Sequence, residues 1–291
     1  MKPAVDNTVQ SLLQTKLSQI EDYFKSDVLT YYGPIVDGNE NTLLNIVEAL
    51  AKTKEKKDKL LIILTTGGGS ATAVERYVNI LREHYNEVNF LVPDYAFSAG
   101  TIFCMSGDNI YMDYFSVLGP IDPQVQNKEG RFVAALGYLD KINELIQKAR
   151  DNDLTQAEFL ILKDFDLAEL RGYEQAKELT IALLKNWLVN YKFKNWKTHN
   201  SNPSKAGMEV TDIEKQERAE EIADKLSDNK KWKSHGRPIN IDCLESQMKL
   251  KIENYTKNDQ LRNLIRSYYE LLSDYINKNG FPIFVQTRLF I

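Results

Sequence analysis

Two short segments carry residue types suited to acyl transfer: Thr65-Thr66-Gly67-Gly68-Gly69-Ser70 and, further along, Ala96-Phe97-Ser98-Ala99-Gly100-Thr101. Such chemistry needs a hydroxyl nucleophile, a base for its proton and N–H groups aimed at the oxyanion that develops on the attacked carbonyl. Gly68 and Gly69 let the backbone approach a carbonyl closely. Ser98, at the start of a helix, has unpaired amides beside it, notably that of Ala99. Losing one oxyanion donor typically costs on the order of a hundred- to thousand-fold in rate. The competing role for Ser98 is a plain helix N-cap.

These segments need a scaffold, and the flanking sequence supplies one. Leu60-Leu61-Ile62-Ile63-Leu64 is an unbroken apolar run between lysines and glycines, the pattern of a parallel strand buried on both faces. A helix is expected over Ala71 to His84, with Val74, Val78 and Leu81 on one stripe. A second strand follows at Asn89 to Pro93, then a buried helix from Ser98 to Met105. Two consecutive strand–helix units place Gly67–Ser70 and Tyr95–Thr101 at the carboxyl end of one parallel sheet, where open α/β folds build their sites.

A strand–glycine–helix turn also suits phosphate, but the sequence matches neither nucleotide-binding template. The P-loop requires Lys-Ser or Lys-Thr after its last glycine, whereas Gly69 is followed by Ser70-Ala71-Thr72. The dinucleotide fingerprint spaces its glycines, and these three are contiguous.

With Leu118-Gly119-Pro120-Ile121-Asp122-Pro123-Gln124 as a third motif, and Leu29 to Ile35 as a first strand, the chain resembles the serine dehydrogenase proteinase family. That family is similar to the Clp proteolytic subunit and signal peptide peptidase A. The resemblance covers roughly Val28 to Ala149. It implies an α/β fold, a ClpP/crotonase-type spiral of ββα units, with Ser98 as nucleophile and Gly68, Gly69 and Ala99 around the oxyanion hole.

The base departs from the Clp pattern, because no histidine stands near Gly119–Pro123; the chain holds only His84, His199 and His235. Signal peptide peptidase relatives use a lysine, and the resemblance carries that role to Lys141, expected to open the apolar helix Ile142-Asn143-Glu144-Leu145-Ile146. Only a neutral amine can accept the proton, so Lys141 must be buried away from carboxylates. Glu144, one turn on, opposes this, and a surface lysine is the bland alternative. Lys128, in a polar loop, and Lys148 are weaker candidates. His235, in Ser234-His235-Gly236-Arg237-Pro238, reads as a second base, a substrate-positioning group or a turn residue. Asp122 either orients Lys141 or caps the following segment.

At 291 residues and 43% hydrophobic, the chain can bury a large core. A net charge of −4 gives no reason to expect nucleic acid, and Cys104 and Cys243 make no disulfide framework, which points to a reducing, cytoplasmic setting. No apolar run reaches the roughly 20 residues needed to span a bilayer, and the amino-terminal residues lack a signal-peptide pattern. Several relatives are expected to carry a membrane anchor, so this is a departure. No metal or other cofactor is implied.

Three regions are expected: a helical arm over 1–24, a protease core over 25–152, and a helical extension over 153–291 ending in a strand. Thr155-Gln156-Ala157-Glu158 is a capping start. Helices are expected within Leu160–Asn190, Asp212–Leu226, Asp242–Ile252 and Asn258–Asn277, with a strand over Phe281–Ile291. The loop Lys194–Met208 is expected to be mobile. A strand at the chain end must join the sheet or a neighbouring subunit; with the rings and trimers of the resembled superfamily, this suggests a homo-oligomer. The favoured function is a serine endopeptidase acting on peptides or unfolded proteins. The alternatives are a catalytically silent Clp-fold binding or scaffold subunit, or a crotonase-like acyl-CoA enzyme.

Overall fold

A computed structural model of the chain describes residues 4–126, 130, 132–199 and 204–291. Helix α1 (Ala4–Phe24) is followed by β1 (Asp27–Tyr32), α2 (Glu40–Ala51), β2 (Lys59–Thr65), α3 (Ala71–His84) and β3 (Glu87–Val92). Then come β4 (Tyr95–Ala96), α4 (Ala99–Met105), β5 (Asn109–Met112), β6 (Val117–Leu118), β7 (Gln124–Gln126) and β8 (Phe132–Ala134). Helices α5 (Ala135–Arg150), α6 (Gln156–Lys163) and α7 (Leu167–Trp187) lead through a π-helical turn, Leu188–Lys192, to α8 (Asp212–Leu226) and α9 (Asn229–Trp232). The chain ends with α10 (Ile241–Met248), β9 (Glu253–Asn254), α11 (Asp259–Asn279) and β10 (Phe284–Gln286).

Among the described residues, six strands form the main sheet in the order β10-β1-β2-β3-β5-β9. All neighbours run parallel except β10, which pairs antiparallel with β1, Thr30 opposite Gln286. The apolar run of β2 explains why this sheet is central. Leu60, Ile62 and Leu64 pack with Val74, Tyr77 and Phe103 on one face, while Leu61 and Ile63 pack with Leu17, Ile265 and Tyr268 on the other. Alternate side chains thus enter two separate cores, as a doubly covered parallel strand requires.

The terminal strand expected over Phe281–Ile291 shortens to β10 and joins its own chain's sheet, so it offers no ground for an oligomer. It is held from beyond: Arg288 reaches Asp27 at 2.6 Å, Glu21 at 3.0 Å and Thr53 at 2.7 Å. Tyr85 donates to the same fully buried Asp27 at 2.8 Å. The region after residue 153 therefore supplies β9, β10 and α11 to the sheet and its cover. The loop expected to be mobile is partly tied, His199 N–H donating to Met208 O and Gly207 N–H to His199 O; Asn200–Pro203 lie outside the described residues. Among those residues, no helix is long and apolar enough to cross a membrane.

Candidate active site

The glycine turn is fixed on both sides by main-chain bonds. Thr66 N–H donates to Tyr95 O at 3.1 Å and Phe97 N–H to Thr66 O at 2.9 Å, which lays the turn beside the Ser98 segment. On the other side Ile35 N–H donates to Gly68 O at 2.9 Å and Ser70 N–H to Ile35 O at 2.8 Å. This double pairing forces φ of 108° at Gly68 and 143° at Gly69, values that suit glycine. A Cβ at Gly68 would stand 2.8 Å from both Ser98 Cβ and Phe97 O, and one at Gly69 would run into Ile35 O.

Ser98 occupies the N-cap position of α4 without acting as a cap. Its backbone sits at φ 52°, ψ −116°, and its side chain accepts no helix N–H. An N-cap residue ordinarily has extended backbone and its oxygen on the N2 or N3 amide. The strained alternative resembles the strand-to-helix elbow that exposes nucleophilic serines. The Oγ, in a residue only 4% exposed, lies 3.5 Å from Asp122 O. Behind the elbow, fully buried Thr101 accepts Gly119 N–H at 3.0 Å, with its hydroxyl 2.8 Å from Ala96 O and 2.9 Å from Gly119 O. That hydroxyl ties the serine turn to the Gly119–Pro123 segment.

The three expected oxyanion donors differ. Ala99 is the first helical residue, so its N–H has no acceptor within α4. Gly69 N–H stands between the bonded groups Gly68 O and Ser70 N and is not used in that bridge. Gly68 N–H is held by Thr66 Oγ1 at 3.0 Å.

Ser98, Ala99 and Gly67–Gly69 line one cleft of about 820 Å³. Its walls are largely apolar, built from Ile35, Val36, Ile102, Ile121 and Pro123, with Ala176, Leu179 and Thr180 of α7 completing them. Asp37 marks the polar side, its Oδ1 accepting from Ser70 Oγ at 2.8 Å and Thr72 Oγ1 at 3.2 Å. Thr180 Oγ1 is buried without a partner. The part played by α7 was not visible in the sequence. Its face at Ala176, Leu179 and Thr180 carries a helical spacing that any core helix would show.

The structure does not bring Lys141 to this cleft. Helix α5 begins at Ala135, so Lys141 does not open a helix as expected but sits in its middle. The reason is Asp122, whose Oδ1 accepts Leu136 N–H at 3.1 Å and so starts the helix earlier. Lys141 is exposed and paired with Glu144 at 3.0 Å. Lys148 pairs with Glu158 at 2.6 Å, and Lys128 lies outside the described residues. His199 is held by Glu214 at 3.2 Å. His235 lines a small compartment with Asp122 rather than the Ser98 cleft. Burial lowers its imidazole below the ordinary value against the pull of Asp122, and burial raises the Asp122 carboxyl. No group of three His, Cys, Asp or Glu side chains able to hold a metal occurs among the described residues.

Comparison with known proteins gives three kinds of match. Residues 35–201, more than half of the chain, match the family described as ClpP-like SDH-type serine proteinase. The uncharacterized protein MJ1495 of Methanocaldococcus jannaschii is 30% identical over 219 residues, 75% of this chain and 58% of that protein. A second protein of that organism, uncharacterized MJ0137, is 34% identical over 146 residues, 46% of this chain and 49% of the other. The chain thus spans about half the length of these curated relatives. Two mutants of the 1510-N membrane-bound stomatin-specific protease, one in complex with a substrate peptide, are similar at 20% and 24% identity. They cover 42% and 47% of this chain and 62% and 66% of theirs, each with a TM-score of 0.32.

Proposed function

The chain belongs to the ClpP-like SDH-type serine proteinase family, and from that premise we propose that it hydrolyses peptide bonds through an acyl-enzyme on Ser98. The observation that carries this reading is the Ser98 elbow. A nucleophile-bearing residue is held at φ 52° with its hydroxyl free of the helix it precedes, over a cleft shared with the glycine turn. In the proposed reaction Ser98 Oγ attacks the peptide carbonyl, the oxyanion takes hydrogen bonds from Ala99 and the Gly68–Gly69 turn, and the amine leaves with the serine proton. Water then releases the acyl group by the same steps. For Gly68 to join, Thr66 Oγ1 must yield its N–H.

Lys141 serves as the base in this scheme only after a rearrangement. Its ammonium must leave Glu144, enter the cleft and lose its proton there, so the described arrangement is read as a resting form. The same ion pair favours a second reading, a catalytically silent binding subunit of this fold. Hydrolysis of an unfolded protein substrate by the purified full chain, with Ser98→Ala and Lys141→Ala as comparisons, separates them. Cleavage abolished by both changes supports the dyad. Cleavage abolished by Ser98→Ala alone removes Lys141 from the scheme, and no cleavage by the wild type supports the silent subunit.

The apolar walls of the cleft suit a substrate whose side chain next to the scissile bond is apolar, with Leu179 and Ile121 as the surfaces it meets.

A further inference from the structure

Behind the wall that faces Ser98, two buried polar atoms lack partners. Ile121 and Pro123 line the serine cleft, but Asp122 between them lines a separate, closely packed compartment with His235, Leu136, Trp232 and Ser234, too tight to hold a water molecule. One carboxylate oxygen of Asp122 holds Leu136 N–H at 3.1 Å; the other, Oδ2, is buried with no partner. His235 Nδ1 is also buried with no partner. A carboxylate oxygen accepts only, and an imidazole nitrogen donates in the right tautomer, so the two orphans are complementary. Each also bears on the other's ionisation. After burial, Leu136 N–H and His235 act on Asp122, with Asp140 the remaining charged neighbour, and Asp122 acts on His235.

Both residues are anchored to the serine segment. The Ser98 hydroxyl donates to the main-chain carbonyl of Asp122 at 3.5 Å. The segment carrying His235 returns to the same wall, since Ile239 and Leu118 exchange both main-chain bonds, at 2.8 and 2.9 Å. The turn between them closes with Arg237 N–H on Ser234 O at 3.1 Å. His235 lies outside the Ser98 cleft, so it does not touch the reacting atoms.

We propose that these two orphans pair, His235 Nδ1–H turning onto Asp122 Oδ2 from the unbonded arrangement of the structure, and that the bond steadies the Gly119–Pro123 wall that holds the Asp122 carbonyl against the Ser98 hydroxyl. His235 is then a positioning residue acting through Asp122. The proposal rests on the reading of Ser98 as nucleophile.

The test has two arms on the full chain. In the first, nitrogen-15 NMR reads the tautomer and titration of His235, which is assigned by substitution because the chain has three histidines. The Nδ1–H form is expected, with Asp122→Asn moving the titration to lower pH. In the second arm, fluorophosphonate labelling of Ser98 is timed in wild type, His235→Ala and His235→Asn, with thermal melts to exclude unfolded variants. An asparagine amide can stand where Nδ1–H stood. His235→Ala is expected to label about tenfold to a hundredfold more slowly, as misplacement of a reacting group does, and His235→Asn to recover most of that loss. An Nε2–H tautomer whose titration ignores Asp122→Asn overturns the pair. Equal rates in wild type and His235→Ala, or equally slow folded alanine and asparagine variants, overturn the positioning role. If the wild type takes no label, the Ser98 reading fails, while the NMR arm still decides the pair.

Discussion

Gly68 and Ser98 stand so close that a methyl group on Gly68 would come within 2.8 Å of Ser98 Cβ. The glycine is therefore needed twice, for a φ of 108° and for room beside the serine. Gly68→Ala is expected to displace the serine turn and slow labelling at Ser98 by about a hundredfold, the cost of misplacing a reacting group by about 1 Å. Timed labelling with a fluorophosphonate, alongside a circular dichroism spectrum, checks this; a folded variant that labels at the wild-type rate contradicts it.

Thr101 should prove indispensable to the same elbow without touching substrate. Its hydroxyl joins Ala96 O, Gly119 O and Gly119 N–H in a fully buried site. Thr101→Val keeps the shape but leaves those groups unpaired, which is expected to cost about 1–3 kcal/mol. Urea unfolding measures it.

The serine segment was legible because its determinants are local. The apolar run of β2, the glycines and the small residues around Ser98 lie within consecutive strand–helix units, and each predicts its own conformation. The Thr155–Glu158 capping box was legible for the same reason, and both of its bonds are present. Lys141 was not, because the start of α5 is decided by Asp122, a residue separated from it by the β7–β8 hairpin. Nor was β9, whose two residues join the sheet beside β5 without any periodic signal of their own. The departure of Ser98 from an N-cap is likewise tertiary, imposed by Thr66, Gly68 and Thr101.

The Glu158 carboxyl, held by Lys148 and the Thr155 groups, lies well below its ordinary value of 4.5, at about 2. A lowered carboxyl stabilises the fold fully above its unfolded value and loses that contribution as pH falls toward the folded one. The α6 amino terminus is therefore expected to fray between pH 4.5 and about 2, seen as faster amide exchange at Glu158 and Phe159. Lys148→Met should move the onset to higher pH; an unchanged onset would show that the capping box alone sets it.

Arg288 closes the C-terminal turn on a carboxylate that has no access to water. Arg288→Ala leaves Asp27, fully buried, with Tyr85 and a main-chain N–H but no cation. Removing one partner of a buried pair typically costs about 3–5 kcal/mol. A drop of that size in unfolding free energy, with faster exchange in β10, is expected. A change under about 1 kcal/mol would show that the network is as weak as surface ion pairs are.

The apolar walls predict selectivity. Peptidyl diphenyl phosphonates, which form their bond to the serine oxygen and expel phenoxide, are expected to inactivate the protein at least tenfold faster with leucine or phenylalanine beside the phosphorus than with aspartate, since a few apolar contacts separate substrates by about 1–3 kcal/mol. Leu179→Asp, at the α7 wall, should erase the difference.

Mass spectrometry of the full chain after fluorophosphonate treatment reads out whether Ser98 is a nucleophile. One adduct is expected, on the peptide containing Ser98 and absent from Ser98→Ala. No adduct on the wild type, or an adduct that persists unchanged in Ser98→Ala, would contradict it.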